Sequence, residues 1–119
     1  PAAPEWFSAL LYRAEEERFE ELDTPGIPVG IEESTTYSET TASLEPGDLV
    51  FLYTDGIIEA ENRGGERFRE SRLKEAILRY RQERADDIVA GVMAEVDRFV
   101  DGAAQHDDQT LIVLKATNP

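Results

Sequence analysis

Two groups of aspartates stand at the ends of apolar segments, where they could bind a divalent cation. Asp55 and Gly56 follow one apolar run directly, and Asp107 and Asp108 come just before another. Hard cations such as Mg²⁺ and Mn²⁺ take carboxylate oxygens and keep several waters, so a carboxylate held at the end of a rigid strand suits them. Each group alone has a simpler interpretation: Asp55 and Gly56 as a turn, and the adjacent aspartates as a solvated loop.

The two apolar runs that flank these aspartates are typical of buried strands. Leu49–Tyr53 is too short for a helix and contains aromatic and β-branched residues, and Thr110–Ala116 has the same character. In antiparallel neighbours, the end of the first strand and the start of the second meet at one edge of the sheet. The sequence therefore predicts that Asp55 and the pair Asp107-Asp108 form one metal-binding site, although 107 − 55 = 52 residues separate them.

The remaining elements predict the fold class. Strands are expected first, then two helices and a final strand, which indicates an α+β architecture with an antiparallel sheet. The expected elements are a hairpin of Ala9–Arg13 and Arg18–Leu22, an irregular loop at Thr24–Gly30, a strand at Thr35–Ser43, a type II turn at Glu45–Asp48, and helices at Ser71–Gln82 and Ala85–Val100, the second closed by Gly102.

Composition restricts the classes of partner and ligand. The chain has 119 residues, within the size of one domain, and its net charge of −14 disfavours nucleic acid and anionic lipid as partners. It has no cysteine, so disulfides and thiolate metal sites are excluded, and any metal must bind oxygen or His106. No apolar run approaches the length of a membrane span. We expect a cytoplasmic protein without membrane contact in this segment.

Five segments resemble those of a known family in their order and spacing. They are Gly26–Ile31, Leu44–Asp48, Leu52–Asn62, Arg72 with Leu73, and Asp107–Leu111. The resemblance is to the stage II sporulation protein E type of PPM serine phosphatases, which are related to protein phosphatase type 2C. It covers nearly the whole chain, and the sequence LYTDGIIEAEN is its most specific part. It implies that residues 1–119 are the C-terminal portion of a single phosphatase domain, an antiparallel β-sandwich with flanking helices.

The resemblance also implies a reaction and its cofactors. Family members bind two Mn²⁺ or Mg²⁺ ions at the sheet edge, and a water activated there attacks the phosphorus of a phosphoserine or phosphothreonine. The implied substrate is a phosphorylated regulatory protein of bacterial signalling, such as an anti-sigma-factor antagonist. Asp55 and Asp107 match metal ligands of the family, with backbone support from Gly56. Asp108, where relatives often have Asn, matches a supporting residue or a ligand of a looser third ion.

The chain departs from the family pattern in two respects. Family members carry further metal-binding acids in an N-terminal half that this chain does not include, so we expect the isolated chain to be inactive or very weak. They often have glycine where this chain has Arg69, which affects the geometry of that loop. Two alternatives stay open: a non-catalytic phosphatase-like module that binds proteins, and an acidic α+β domain without a site. Open strand edges also predict a homo-oligomer or association with a further segment.

Overall fold

The structure, a computed structural model, describes residues 6–22, 27–28, 43–105 and 108–117. Along the described chain, four strands come first, three helices follow, and a fifth strand comes last. In chain order the elements are β1 (Trp6–Arg13), β2 (Arg18–Glu21), β3 (Ile27–Pro28), β4 (Leu49–Thr54), α1 (Asp55–Ile58), α2 (Arg69–Tyr80), α3 (Ala85–Val100) and β5 (Leu111–Lys115).

The strands form one antiparallel sheet in the order β2-β1-β4-β5, with the short β3 pairing with the start of β1. Strand β4 is central: Phe51 lies opposite Leu10 of β1 on one side and Val113 of β5 on the other. The predicted N-terminal hairpin and the predicted buried strand at residues 49–53 are confirmed. The expected strand at Thr35–Ser43 lies outside the described residues except for Ser43, which is in no strand.

The three helices cover one face of the sheet, because alternate residues of each strand point to that face. A buried cluster joins the two layers, and each fully buried large side chain contributes about 1.5–3 kcal/mol relative to an exposed one. Its members include Leu10, Tyr12, Leu49, Phe51, Tyr53 and Val113 from the sheet, Ile57, Leu73, Ile77, Ile88, Val92 and Val96 from the helices, and Phe68 directly before α2. The α+β class is confirmed, and the described residues contribute one sheet of the predicted sandwich with its flanking helices.

Helix boundaries follow the sequence pattern closely for the longer helices. Helix α3 has the predicted bounds, and α2 begins and ends two residues earlier than predicted. The expectation that Gly102 closes α3 needs correction, because Asp101 is the left-handed residue that caps the helix, with Gly102 following at a positive φ as well. Helix α1 was not predicted, because a single turn is too short for its periodicity to be recognised. No helix within the described ranges is long and apolar enough to cross a membrane.

The opposite face of the sheet is apolar and partly open. Ile112 and Leu114 of β5 are 40% and 54% exposed, and both point away from the helices because they alternate with Val113. Leu11 of β1, which lies on the same face, is fully buried. Solvent therefore reaches the apolar face of the sheet at β5.

Asp48 is a buried acid that joins two turns. It ends the predicted type II turn, which is confirmed by the hydrogen bond from the Asp48 amide to the Glu45 carbonyl and by Gly47 at φ 93°. The carboxylate accepts hydrogen bonds from the amides of Ala14 and Glu45 and from Arg13. Burial alone would raise the pKa of Asp48, but these donors outweigh burial and hold the pKa below its ordinary value of 3.8.

Replacing Asp48 by Asn should destabilise the chain in a pH-dependent way. The amide cannot accept all of these hydrogen bonds, so we expect a loss of about 1–3 kcal/mol in the free energy of unfolding at pH 7. Because the folded-state pKa is lowered, the stabilisation from the ionised carboxylate is complete above pH 3.8 and is lost as the pH falls further. Urea unfolding at several pH values measures this. Glu45→Gln, a substitution at an exposed position of the same turn, is the control. The account would be contradicted if the difference in the free energy of unfolding between Asp48→Asn and the wild type stayed the same at the lowest pH.

Arg69 adopts a left-handed backbone conformation at the start of α2, with φ 68°. This is the position at which the resemblance leads us to expect glycine. Neighbouring contacts hold the backbone there: Phe68 is buried and packs edge-on against Phe99, and Arg72 donates a hydrogen bond of 2.6 Å to the Arg67 carbonyl. The loop thus keeps a conformation that suits glycine although an arginine occupies it.

Arg69→Gly should therefore stabilise the chain. A left-handed conformation costs an L-residue about 1–2 kcal/mol, and the greater freedom of glycine in the unfolded chain offsets part of that gain. We expect the free energy of unfolding to rise by about 0.5–1 kcal/mol, as measured by urea denaturation. Ser71→Gly, two residues on in the same helix, should lower it by about 0.5 kcal/mol. Equal effects of the two variants would show that Arg69 is not strained.

Candidate functional site

Asp55 lies at the end of the central strand, as the first residue of α1. The strand ends at Thr54 in an extended conformation, and the chain then turns directly into the helix. The Asp55 side chain is exposed, whereas Gly56 behind it is buried. The predicted position of Asp55 at the strand end is confirmed, and a helical turn, which was not predicted, begins there.

Asp108 lies on the segment that leads into β5, and it is also exposed. Three hydrogen bonds join this segment to the end of β4. The Thr54 amide donates to the Thr110 carbonyl at 3.1 Å, the Thr54 hydroxyl lies 3.2 Å from the Asp108 carbonyl, and the Thr110 amide donates to that hydroxyl at 3.1 Å. A fourth contact, from the Gln109 side chain to the Gly56 carbonyl, spans 3.4 Å.

These contacts bring the segments of Asp55 and Asp108 to the same edge of the sheet, as the antiparallel pairing predicts. Asp107 and His106 lie outside the described residues, so their placement stays a prediction. The metal-binding roles of Asp55, Asp107 and Asp108, and the supporting role of Gly56, likewise stay predictions. What the structure establishes is that two distant stretches of sequence are hydrogen-bonded at one edge.

The donor groups at this edge fit a hard divalent cation in kind. Asp55 and Asp108 supply carboxylate oxygens, the ligands that Mg²⁺ and Mn²⁺ prefer. Within the described ranges, no three Asp, Glu or His side chains converge into a group able to hold a metal. Two carboxylates leave most of a cation's coordination shell to water or to other groups.

A cleft of about 300 Å³ opens beside the edge and shares Gly56 and Gln109 with it. Among the described residues, its lining includes the acids Glu59, Glu61 and Asp97 and no basic side chain. Glu61 is paired with Arg67, whose Nε lies 3.6 Å away, so Glu59 and Asp97 are the acids that would repel a phosphate group unless a cation neutralised them. The charge of the cleft thus favours cation-assisted chemistry over direct recognition of phosphate.

Tyr53, next to this edge, cannot serve as a base near neutral pH. It is buried beneath the helices, and burial raises its pKa to about 12, with further contributions from the negative charges of Glu70, Glu21 and Asp55. Its hydroxyl therefore keeps its proton throughout the physiological range. Tyr53 is therefore not a candidate proton acceptor at this edge.

Thr54 and Gln109 contribute to this edge, although no role was predicted for either from the sequence. Thr54 is 4% exposed and is one of two buried polar or charged residues in the described chain, the other being Asp48. The sequence signal that could have identified Thr54 is its position: it ends an otherwise apolar strand and directly precedes Asp55. Its partners, however, are 54 and 56 residues away, so only the folded chain reveals its role.

A family model and two curated proteins match this chain. The model described as stage II sporulation protein E (SpoIIE) matches residues 6–117. The phosphoserine phosphatase RsbU of Bacillus subtilis is 29% identical over 104 residues, which cover 87% of this chain and 30% of RsbU. Protein IcfG of Synechocystis is 28% identical over 93 residues, or 78% of this chain and 14% of IcfG. The chain thus spans less than a third of either curated relative.

Solved structures show the same fold. The SiaA-PP2C domain of Pseudomonas aeruginosa superimposes with a TM-score of 0.73 at 19% identity, covering 92% of this chain and 43% of that one. The phosphatase domain of SpoIIE from Bacillus subtilis, presoaked with Mn, gives a TM-score of 0.64 at 18% identity, covering 96% of this chain and 48% of that one. The described architecture is therefore that of part of a PP2C phosphatase domain.

Proposed function

The chain belongs to the stage II sporulation protein E family, and from this membership we propose that it supplies part of a metal-dependent phosphatase site. The site would remove phosphate from a phosphoserine or phosphothreonine of a regulatory protein in bacterial signalling, such as an anti-sigma-factor antagonist. The observation that carries the proposal is the hydrogen-bonded edge where the segments of Asp55 and Asp108 meet. A relative named as a phosphoserine phosphatase supports the reaction class.

In this proposal the chain's acids hold Mn²⁺ or Mg²⁺ and position the phosphate group beside the edge. Asp55 and Asp107 are the proposed ligands, with Asp108 in a supporting role. Two bound ions would lower the pKa of a water and neutralise the phosphoryl oxygens. Because the cleft beside the edge is acidic, it would admit a phosphate only with that neutralisation. The net charge of −14 supports a phosphoprotein over nucleic acid as the partner. The proposed location of the reaction is the cytoplasm.

We further propose that residues 1–119 are the C-terminal portion of one phosphatase domain. The chain covers 43% and 48% of two solved phosphatase domains, and hydrogen bonds join the segments of Asp55 and Asp108 at the edge. A site for two ions needs more ligands than these. Acids from a further segment would complete it, and the isolated chain would hydrolyse phosphoserine weakly or not at all.

Acid-to-amide substitutions at the edge test this function in the protein as its gene encodes it. With a phosphoserine protein as substrate and Mn²⁺ present, Asp55→Asn and Asp107→Asn should each lower kcat/KM by more than about 100-fold, because each removes a ligand charge. Asp108→Asn should lower it by about tenfold or less. Chelation by EDTA should abolish turnover, and added Mn²⁺ should restore it.

Asp87→Asn is the matched control, since Asp87 is an exposed acid in the first turn of α3 and contributes to neither edge nor cleft. Its kcat/KM should equal that of the wild type. Turnover that survives EDTA, or that Asp55→Asn leaves unchanged, would overturn the proposal. If the protein binds the phosphoprotein but neither hydrolyses it nor binds Mn²⁺, the alternative holds instead, namely a non-catalytic binding module.

The open sheet face predicts that the isolated 119-residue chain self-associates. Ile112 and Leu114 expose apolar surface on β5, an edge strand in the described sheet. Light scattering should give a mass greater than 13.3 kDa for the wild type. Leu114→Lys should shift the mass toward the monomer, whereas Glu83→Lys, an exposed change in the loop between α2 and α3, should not. A stable wild-type monomer would contradict this expectation.

A further inference from the structure

Thr54 makes three hydrogen bonds to the segment that carries Asp108, two through its hydroxyl and one through its backbone amide. It is 4% exposed and stands directly before Asp55. Its hydroxyl donates to the Asp108 carbonyl at 3.2 Å and accepts from the Thr110 amide at 3.1 Å, while its own amide donates to the Thr110 carbonyl at 3.1 Å. One residue thus binds three backbone groups of the segment that carries Asp108.

The register of the strands does not provide this connection by itself. The paired ladder of β4 and β5 ends at Tyr53 opposite Leu111, so Asp108 lies beyond it. From there toward Asp108, the described contacts between the two segments are those of Thr54 and the 3.4 Å contact from Gln109 to Gly56. The hydroxyl of Thr54 reaches the Asp108 carbonyl itself, and the Gln109 side chain adds a longer contact, so side-chain groups extend the pairing to the acidic edge.

We propose that Thr54 is a positioning residue, whose hydroxyl sets the placement of the Asp108 segment relative to Asp55. The part of this proposal that concerns metal affinity rests on the proposed function. Carboxylates must be held to within about 0.5 Å to bind a cation well, and groups behind the ligands usually provide that constraint. Because Thr54 is buried and its hydroxyl both donates and accepts within the chain, it acts through the backbone and does not itself contact a ligand.

Two substitutions separate the hydroxyl from the shape of the side chain. Thr54→Val keeps the volume and removes both hydrogen bonds, and Thr54→Ser keeps the hydroxyl. Calorimetric titration of Mn²⁺ into the protein as its gene encodes it should show affinity reduced by about 10–100-fold for Thr54→Val and restored to near the wild-type value by Thr54→Ser. Thr117→Val, the same chemical change at an exposed position, should leave Mn²⁺ affinity unaltered.

Hydrogen exchange without metal gives a second readout. The Thr110 amide should exchange at least about tenfold faster in Thr54→Val than in the wild type, and should stay protected in Thr54→Ser. If Thr54→Val binds Mn²⁺ as tightly as the wild type, the positioning role is overturned. If the wild type binds no Mn²⁺, the proposed function is overturned, and unchanged exchange in Thr54→Val would then overturn the positioning role separately.

Circular dichroism first establishes that Thr54→Val is folded. If it is not, Gln109→Met provides the comparison, because it removes the Gln109 contact to Gly56 from a half-buried position. A loss of Mn²⁺ affinity in a folded Gln109→Met chain supports the proposal that contacts between the two segments position the acids. Wild-type affinity in that variant overturns it.

Discussion

Strand β4 pairs with β1 on one side and with β5 on the other, and the pairing with β5 continues past the ladder through Thr54. The core and the acidic edge both depend on this register. A slip of one residue would turn Phe51 and Val113 away from the helices and expose the apolar row on which the helices pack. The same slip would separate Thr54 from Thr110. Core packing thus selects the alignment that also places the two acidic segments together.

Acidic residues in this chain occupy two contrasting environments. Asp48 is buried, and its carboxylate is satisfied by two amides and an arginine, so its charge serves the fold. Asp55 and Asp108 are exposed, and the contacts around them involve backbone groups and neighbouring side chains. A carboxylate whose oxygens are open to solvent is available to a cation. A carboxylate whose oxygens already accept hydrogen bonds from protein donors is not. The environment, more than the residue type, separates structural acids from candidate ligands.

The parts of the fold that the sequence predicted are those with a strong local pattern. Helix α3 has a continuous apolar stripe, the central strand is an unbroken apolar run, and the turn at residues 45–48 carries proline and glycine at its centre. The meeting of Asp55 with the segment of Asp108 followed from strand direction alone. Four features did not follow: the single turn of α1, the two-residue β3, the left-handed Arg69 and the role of the Thr54 hydroxyl. Helix α1 is too short for a periodic pattern, and the other three features depend at least in part on contacts with distant parts of the chain, which local periodicity does not report.

The separation of 56 residues between Thr54 and Thr110 has a consequence for the order of folding. Helices α2 and α3 form from local contacts, but the acidic edge exists only after the chain between the two strands has closed. Each doubling of the loop length adds only about 0.6 kcal/mol to the entropic cost of closing the loop. The long separation therefore slows the assembly of the edge more than it lowers the stability of the folded chain. A partly folded chain would hold its acids apart. A cation at the edge would therefore bind the completed sheet and would shift the folding equilibrium toward it.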